Sequence, residues 1–353
     1  APTFMYGWDH YVRDYLEACP PNQPRDESKY KTFVNLCLGE TYSEQTETVD
    51  ANKLQENIIG YDVGVVPNKL SQELNNGRII LITCGVDLNG KDDTHPNHDE
   101  DDARLDYEIV AYSESGATYS IDHGSIGTFK PGQTLLQKRR TDRVKWTYKF
   151  GVENSVWPEF DKIISRRIKT DDGKYLPIMF TGLDSGIHTD YAYQFAQNRQ
   201  AVVPLKGKDE TKYVALFADK KTFKNSVEKP GKLYLVETNY TKDRLARKMA
   251  LKWDAESSEA QPDGYLNFPI PSGGKYLLKN YFSHFEAEEK KMDDKGNFIW
   301  RKRPGNPQNH LYDCRLYADV AKDIFVEKIL KASKITDVSW YNFVKMMRTI
   351  MDD

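Results

Sequence analysis

The stretch Arg78–Gly90, RIILITCGVDLNG, constrains the fold more than any other part of the chain. It is a continuous apolar run of strand-forming residues that stops at one acid, Asp87, followed by the turn-forming pair Asn89 and Gly90. A strand that is apolar on both faces belongs at the centre of a covered sheet, which leaves Asp87 at the strand's end and beside the core. An acid in that position either opens a turn or ligates a metal, and the choice depends on what the rest of the chain brings to it.

A second line, Leu176–Asp184 (LPIMFTGLD), repeats the pattern of an apolar strand ending on an acid. A helix from about His188 to Asn198 and a short strand, Ala201–Leu205, follow it, which is the strand–helix–strand order that builds parallel sheets. Between the two acids, Leu105, Tyr107, Ile109 and Ala111 alternate with polar residues as in a half-buried strand. Gly116 then marks a turn into a third strand over Ala117–Ile126, so an antiparallel meander is expected before the parallel part. Further on, the pattern predicts a helix over Glu153–Thr170 and a strand at Leu233–Val236. Thr238 and Asn239 are plausible caps for a helix over Lys242–Leu251. A loop rich in Pro and Gly spans Pro262–Gly274, and a hairpin turns at Gly296. A long helix runs from about Gln308 to Leu330, and a short one covers Ser339–Met351.

These elements describe an α/β domain with a mixed sheet flanked by helices, over residues 76–330. Residues 1–75 read as a small helical lead-in, with a helix over Trp8–Ala18 ended by Pro20, Pro21 and Pro24. Residues 331–353 read as a helical tail. At 353 residues and 39% hydrophobic, the chain can bury a substantial core. No apolar run reaches the roughly 18 residues of a membrane helix, and the first residues, APTFMYGWDH, do not resemble a signal peptide, so a soluble intracellular protein is expected. Cys19, Cys37, Cys84 and Cys314 have no CxxC spacing, which argues against a zinc site or a disulfide framework.

The net charge of −3 conceals segregation. Basic clusters recur at Lys138–Lys145, at Arg166 and Arg167, at Lys206–Lys208, at Lys220 and Lys221, and at Arg301–Arg303. The run from Lys91 to Asp102 is acidic, and its His95 and His98 belong to a solvated loop or hold a stray cation. Any one basic run is ordinarily a solvated face; several on a chain that also carries placed acids fit a phosphate backbone approaching a metal site.

Asp87 and Asp184 at strand ends, with Asp313 on the inner face of the long helix, make three acids that could meet. The order strand-Asp, strand-Asp, helix-Asp on a mixed sheet is the plan of nucleases that use two divalent cations roughly 4 Å apart. Hard oxygen ligands select Mg²⁺ or Mn²⁺ over zinc. Without cations the acids would repel one another and at least one would hold its proton to unusually high pH.

The segments TCGVDLNG (Thr83–Gly90), GLDSGIHT (Gly182–Thr189), NYTKDRLARKM (Asn239–Met249) and NHLYDCRLYA (Asn309–Ala318) resemble, in order, the motifs of the nuclease domain of lambda-like bacteriophage terminase large subunits. FVNLCLGETY (Phe33–Tyr42) and DGYLNFP (Asp263–Pro269) match two further blocks, so the resemblance runs from about residue 30 to 322. It implies a ribonuclease H-like fold and a metal-dependent endonuclease cutting concatemeric double-stranded DNA with two Mg²⁺ or Mn²⁺ ions. Asp87, Asp184 and Asp313 fall on the metal and catalytic positions. It also implies an ATPase domain in the same full-length subunit, a small terminase subunit and a portal protein as partners, and a site of action at the procapsid in the host cytoplasm. No GxxxxGK[ST] occurs in the chain, so it is expected to correspond to the C-terminal half of such a subunit.

Lys206 and Lys242 occupy motif positions that could contact DNA, as could Lys138, Arg139 and Arg140 in the first basic cluster. His188 either assists near the metals or packs locally at a helix start. Ile187 stands where the family usually has glycine, and His310 and Tyr312 stand where it has Glu and Leu. The rival readings are another ribonuclease H-like enzyme, a junction resolvase or transposase, and a non-catalytic module that docks DNA or the portal.

Overall fold

A computed structural model describes residues 7–19, 27–39, 49–90, 103–127, 146–197, 199–208, 225–226, 233–254, 259–293, 298–305 and 307–352. The acidic run 91–102, Lys138, Arg139, Arg140, Lys220, Lys221 and Gly296 lie outside those residues. The strands are β1 (Ile58–Asp62), β2 (Ile79–Asn89), β3 (Arg104–Ser113), β4 (Thr118–Gly127), β5 (Arg167–Lys169), β6 (Tyr175–Pro177) and β7 (Phe180–Asp184). They continue as β8 (Val202–Lys208), β9 (Asn225–Ser226), β10 (Leu233–Glu237), β11 (Leu266–Ile270), β12 (Glu288–Met292) and β13 (Phe298–Lys302). The helices are α1 (Trp8–Ala18), α2 (Glu27–Thr32), α3 (Ala51–Gln55), α4 (Asn68–Glu73), α5 (Val156–Ser165), α6 (Thr189–Ala196), α7 (Thr238–Met249), α8 (His310–Ala332) and α9 (Trp340–Asp352).

Among the described residues, nine strands form one mixed sheet in the order β1-β11-β4-β3-β2-β7-β8-β10-β9. β2 lies inside it. Its antiparallel neighbour β3 leads on to β4, which completes the expected meander. On its other edge β2 pairs in parallel with β7, β7 with β8, and β8 with β10. This is the mixed sheet that the strand order predicted, antiparallel on one side of β2 and parallel on the other. β2 is apolar on both faces because both are covered. Ile82, Cys84, Val86 and Leu88 share a core with Trp157 and Phe160 of α5 and Phe195 of α6. Ile80 and Leu81 pack with Val326 and Leu330 of α8 and Phe343 of α9. Among the described residues no helix is long and apolar enough to cross a membrane.

Several elements depart from expectation for local reasons. β3 is buried on both faces, not one, because α8 lies over its polar side and Arg315 pairs with Glu108 there at 3.5 Å. β1 falls within the lead-in but hydrogen-bonds to β11, so the sheet starts before residue 76. β11 itself occupies the loop expected over Pro262–Gly274; its Pro and Gly neighbours concealed a strand that pairs on both edges, with β1 and with β4. The helix expected over Glu153–Thr170 ends at Ser165, and Arg167–Lys169 turns back as a small hairpin with β6. The cap of α7 is Glu237, whose carboxylate accepts from the Tyr240 N–H, rather than Thr238 or Asn239. The tail packs into the fold, since Phe343 and Val344 of α9 are buried against α8 and the sheet.

Gly85 and Gly182 are register partners on β2 and β7. A Cβ on Gly85 would stand 1.9 Å from the Cys314 carbonyl oxygen and 2.3 Å from the Ala318 nitrogen. One on Gly182 would stand 2.8 Å from the Tyr317 carbonyl oxygen. The backbone of α8 therefore rests directly on the sheet, and the Thr83 hydroxyl donates to the Ala318 carbonyl at 2.9 Å. Gly85→Ala would push rigid backbone against rigid backbone, which side-chain repacking cannot relieve. A loss of about 3 kcal/mol or more is expected in urea unfolding; an unchanged midpoint would show that α8 can lift off the sheet without cost.

Candidate metal centre

Asp87 and Asp184 sit at the ends of neighbouring parallel strands, β2 and β7, and Asp313 lies in the first turn of α8. The three lie near enough for their charges to act on one another. The charge of Asp184 acts on Asp87, and those of Asp87 and Asp184 both act on Asp313. Burial, reinforced by Asp184, raises the Asp87 carboxyl well above the usual carboxylate range. Burial lifts Asp184 to about 6, against the hydrogen bonds it accepts. Asp313 is pushed up to about 8 by burial, opposed by Lys242 and assisted by the neighbouring acids.

Each acid is held by fixed partners. The Asp184 carboxylate accepts from the Gly186 N–H at 3.1 Å and from the Tyr317 hydroxyl at 3.2 Å. Asp87 accepts from the Asn89 side-chain amide at 2.9 Å, and its Oδ2 lies 2.9 Å from Nδ1 of His310. The Asn309 amide donates to Asp313 at 2.7 Å and to Glu288 at 2.8 Å. The first turn of α8 is itself tied down, because the Leu311 N–H donates to Nδ1 of His284 at 3.2 Å. Burial drives the His284 imidazole down to about 4, which leaves it neutral and able to accept.

The basic residues proposed from sequence separate. Lys206, on β8 one residue past the register partner of Asp184, bears electrostatically on that acid. Lys242 is only 8% exposed, and its ammonium is ion-paired with Glu288 at 2.5 Å. α7 turns that face inward, so the position that looked like an outer phosphate contact belongs to the charge balance around Asp313. Of the other basic clusters, Arg166 pairs with Asp122 on β4 at 2.5 Å, whereas Arg301 and Lys302 are exposed on the β12–β13 hairpin. His188 is the N-cap of α6 with φ of 52°, and its ring lies 4.4 Å from that of Tyr148, consistent with local packing.

Sequence reasoning missed Asp106. It lies directly across from Asp87 on β3, where it accepts from Asn89 at 2.8 Å and from Arg104 at 2.9 Å. Donor atoms of Asp87, Asp106 and His310 all lie within 4.8 Å of one another. Reading the meander register from the strand ends would have found this pair. Tyr317 packs against the core and also donates its hydroxyl to Asp184 from one turn beyond Asp313.

The donor set suits a hard divalent cation: carboxylates on a rigid frame, kept from ionising chiefly by desolvation. Asp184 and Asp313 bind protons more tightly in the folded chain than in the unfolded one. In cation-free protein their contribution is therefore a loss of stability that grows as pH rises from about 4 through about 8. Asp313→Asn removes much of that loss. In urea unfolding with a chelator, the variant should gain on the wild type by more than about 1 kcal/mol between about pH 5 and about pH 8.5. Parallel pH profiles would contradict the assignment.

The family described as terminase large subunit gpA, endonuclease domain, matches residues 1–333. The terminase large subunit of Escherichia phage lambda is 24% identical over 326 residues, which is 91% of this chain and 42% of that protein; the chain thus spans under half the length of this relative. Among solved structures, the nuclease domain of the large terminase subunit gp2 of bacterial virus Sf6 is similar at a TM-score of 0.41. It is 11% identical, and the match covers 76% of this chain and 96% of that one. The large terminase nuclease of thermophilic phage G20c, with bound magnesium, is similar at a TM-score of 0.34 with 9% identity, over 76% and 96% of the two chains.

Proposed function

Because this chain belongs to the gpA family of terminase large subunits and matches its endonuclease domain, we propose that it hydrolyses phosphodiester bonds of double-stranded DNA as a divalent-cation-dependent endonuclease during viral genome packaging. The observation that carries the reading is the electrostatic coupling of two buried acids at strand ends, Asp87 and Asp184, with the half-buried Asp313 in the first turn of α8. Structural ion pairs perturb acids too, but they hold them down, as at Asp319, where Lys248 and Arg315 keep the carboxylate well below its ordinary range against burial. At Asp87, Asp184 and Asp313 the balance runs the other way.

Asp87, at the junction of the β2 and β7 ends, would ligate both of two Mg²⁺ or Mn²⁺ ions, with Asp184 and Asp313 completing one site each. When bound, ions of this kind activate water and offset the charge that builds on the phosphate and on the departing 3′ oxygen. The chain's own residues supply orientation. Gly186 and Tyr317 fix one oxygen of Asp184, Asn309 fixes Asp313, and Asn89 fixes Asp87, so the acids need not reorganise when substrate arrives. Lys242 and Glu288 neutralise one another beneath Asp313, and the pair keeps that acid's surroundings close to neutral.

DNA phosphates would be met by Lys206 and by the exposed Arg301 and Lys302, and the basic cluster of Lys138, Arg139 and Arg140 is proposed as a further DNA contact. Contacts to phosphate of this kind make binding tolerant of sequence and weak at high salt. In the full-length subunit the partners would be its ATPase domain, the small terminase subunit and the portal, and the chain would act at the procapsid in the host cytoplasm.

Asp87→Asn keeps size and hydrogen bonding while removing a charge from both cation sites. It is expected to abolish Mn²⁺-dependent nicking of supercoiled plasmid and to leave the retention of DNA in a gel shift intact; undiminished cutting by this variant would refute the proposal.

A further inference from the structure

The three family acids leave unused a second set of donors that meets at Asp87. Asp106 is its register partner across the antiparallel β2–β3 ladder, so the two carboxylates leave the same face of the sheet side by side. Like charges directly opposite one another weaken a sheet, and here both are buried. His310, the first residue of α8, comes down over this pair with Nδ1 at 2.9 Å from Asp87 Oδ2. Donor atoms of all three fall within 4.8 Å of one another. Two donors on one ion with bonds of about 2.2 Å are separated by about 3 to about 4.5 Å, so this spacing matches a single coordination sphere with little adjustment.

We propose that Asp106 and His310 ligate, together with Asp87, the cation held against the ends of β2 and β3, which makes that site a mixed oxygen and nitrogen site. The inference rests on the reading of the cluster as a divalent-cation nuclease centre and specifies one of its ligand sets. Asp106 is held ready for the role. Ser125 donates to its Oδ1, and Arg104 and Asn89 donate to its Oδ2. An ionised carboxylate offers about four acceptor positions, so these three bonds fix its plane and still leave a lone pair. Asn89 also donates to Asp87 Oδ2, the oxygen next to His310, and so ties the two acids to one geometry.

The chemical consequence lies in the choice of metal. Mg²⁺ takes oxygen ligands almost exclusively, whereas Mn²⁺ and the later divalent ions gain more from imidazole. His310 adds an imidazole nitrogen to two carboxylates in this donor set. The site should therefore favour Mn²⁺ over Mg²⁺ more strongly than an all-oxygen site on the same frame.

The test uses the protein loaded with Mn²⁺ alone and reads coordination rather than cleavage. Pulsed electron paramagnetic resonance of the wild type should show modulation from a directly bound nitrogen. His310→Glu should lose that signal while still binding Mn²⁺. In calorimetry the ratio of Mn²⁺ to Mg²⁺ affinity should fall roughly tenfold in His310→Glu, and Asp106→Asn should weaken Mn²⁺ by a similar factor. Saturable Mn²⁺ binding without a nitrogen signal, or a signal unchanged in His310→Glu, overturns this ligand set and leaves the nuclease reading standing. No saturable Mn²⁺ heat in the wild type overturns both.

Discussion

Everything at the metal centre depends on how closely α8 lies on the sheet. Most helices rest on a sheet through a layer of side chains. Here Gly85 and Gly182, side by side on β2 and β7, remove that layer, and the helix backbone from Cys314 to Ala318 settles on the strands themselves. The axial position of the helix is then set by anchors along its length. Arg315, wholly buried, donates to Ser120 at 2.9 Å and to Thr118, and it lies 3.5 Å from Glu108. Below it, Asp319 accepts from Tyr112 at 3.0 Å and from Lys248 at 2.6 Å. A helix fixed in height by glycine and in register by buried ion pairs has one place for its first turn, and Asp313 is in that turn.

The two sets of buried charge differ in sign of effect. Asp319 is matched by Lys248 and Arg315, so its ionisation is favoured, and Asp323 pairs with Arg244, which clamps the helix. Removing one partner from such a pair would leave an uncompensated buried charge, at a cost of about 3 to 5 kcal/mol. Around Asp87, Asp184 and Asp313 the acids are short of positive charge, and Lys242 is already engaged by Glu288. The stable clamp fixes the geometry, and the crowded acids hold a potential for cations that the frame does not let them relieve by moving apart.

Much of this was legible in the chain. The apolar runs that end on Asp87 and Asp184, the meander between them and the strand–helix–strand that follows Asp184 are short-range patterns, and the mixed sheet follows from them. What could not be read depends on contacts distant in sequence. β3 reads as half-buried because Asp106 and Glu108 are polar; only the arrival of Arg315, some two hundred residues later, explains why Glu108 lies inside. Lys242 reads as a surface cation for the same reason, since its partner Glu288 belongs to a different element. β11 was hidden by Pro and Gly around it, and its neighbours β1 and β4 become visible only when the sheet closes. His310 stood out as a departure from the family pattern, but its meaning required Asp87 and Asp106 to be seen beneath it.

The central claim is that folding draws Asp87, Asp184 and Asp313 into one pocket built to hold divalent ions. Anomalous diffraction from a crystal soaked in Mn²⁺ tests it most directly. The account predicts anomalous peaks within about 2.5 Å of carboxylate oxygens from all three residues. A fully soaked crystal whose Mn²⁺ peaks lie only elsewhere on the protein would contradict it.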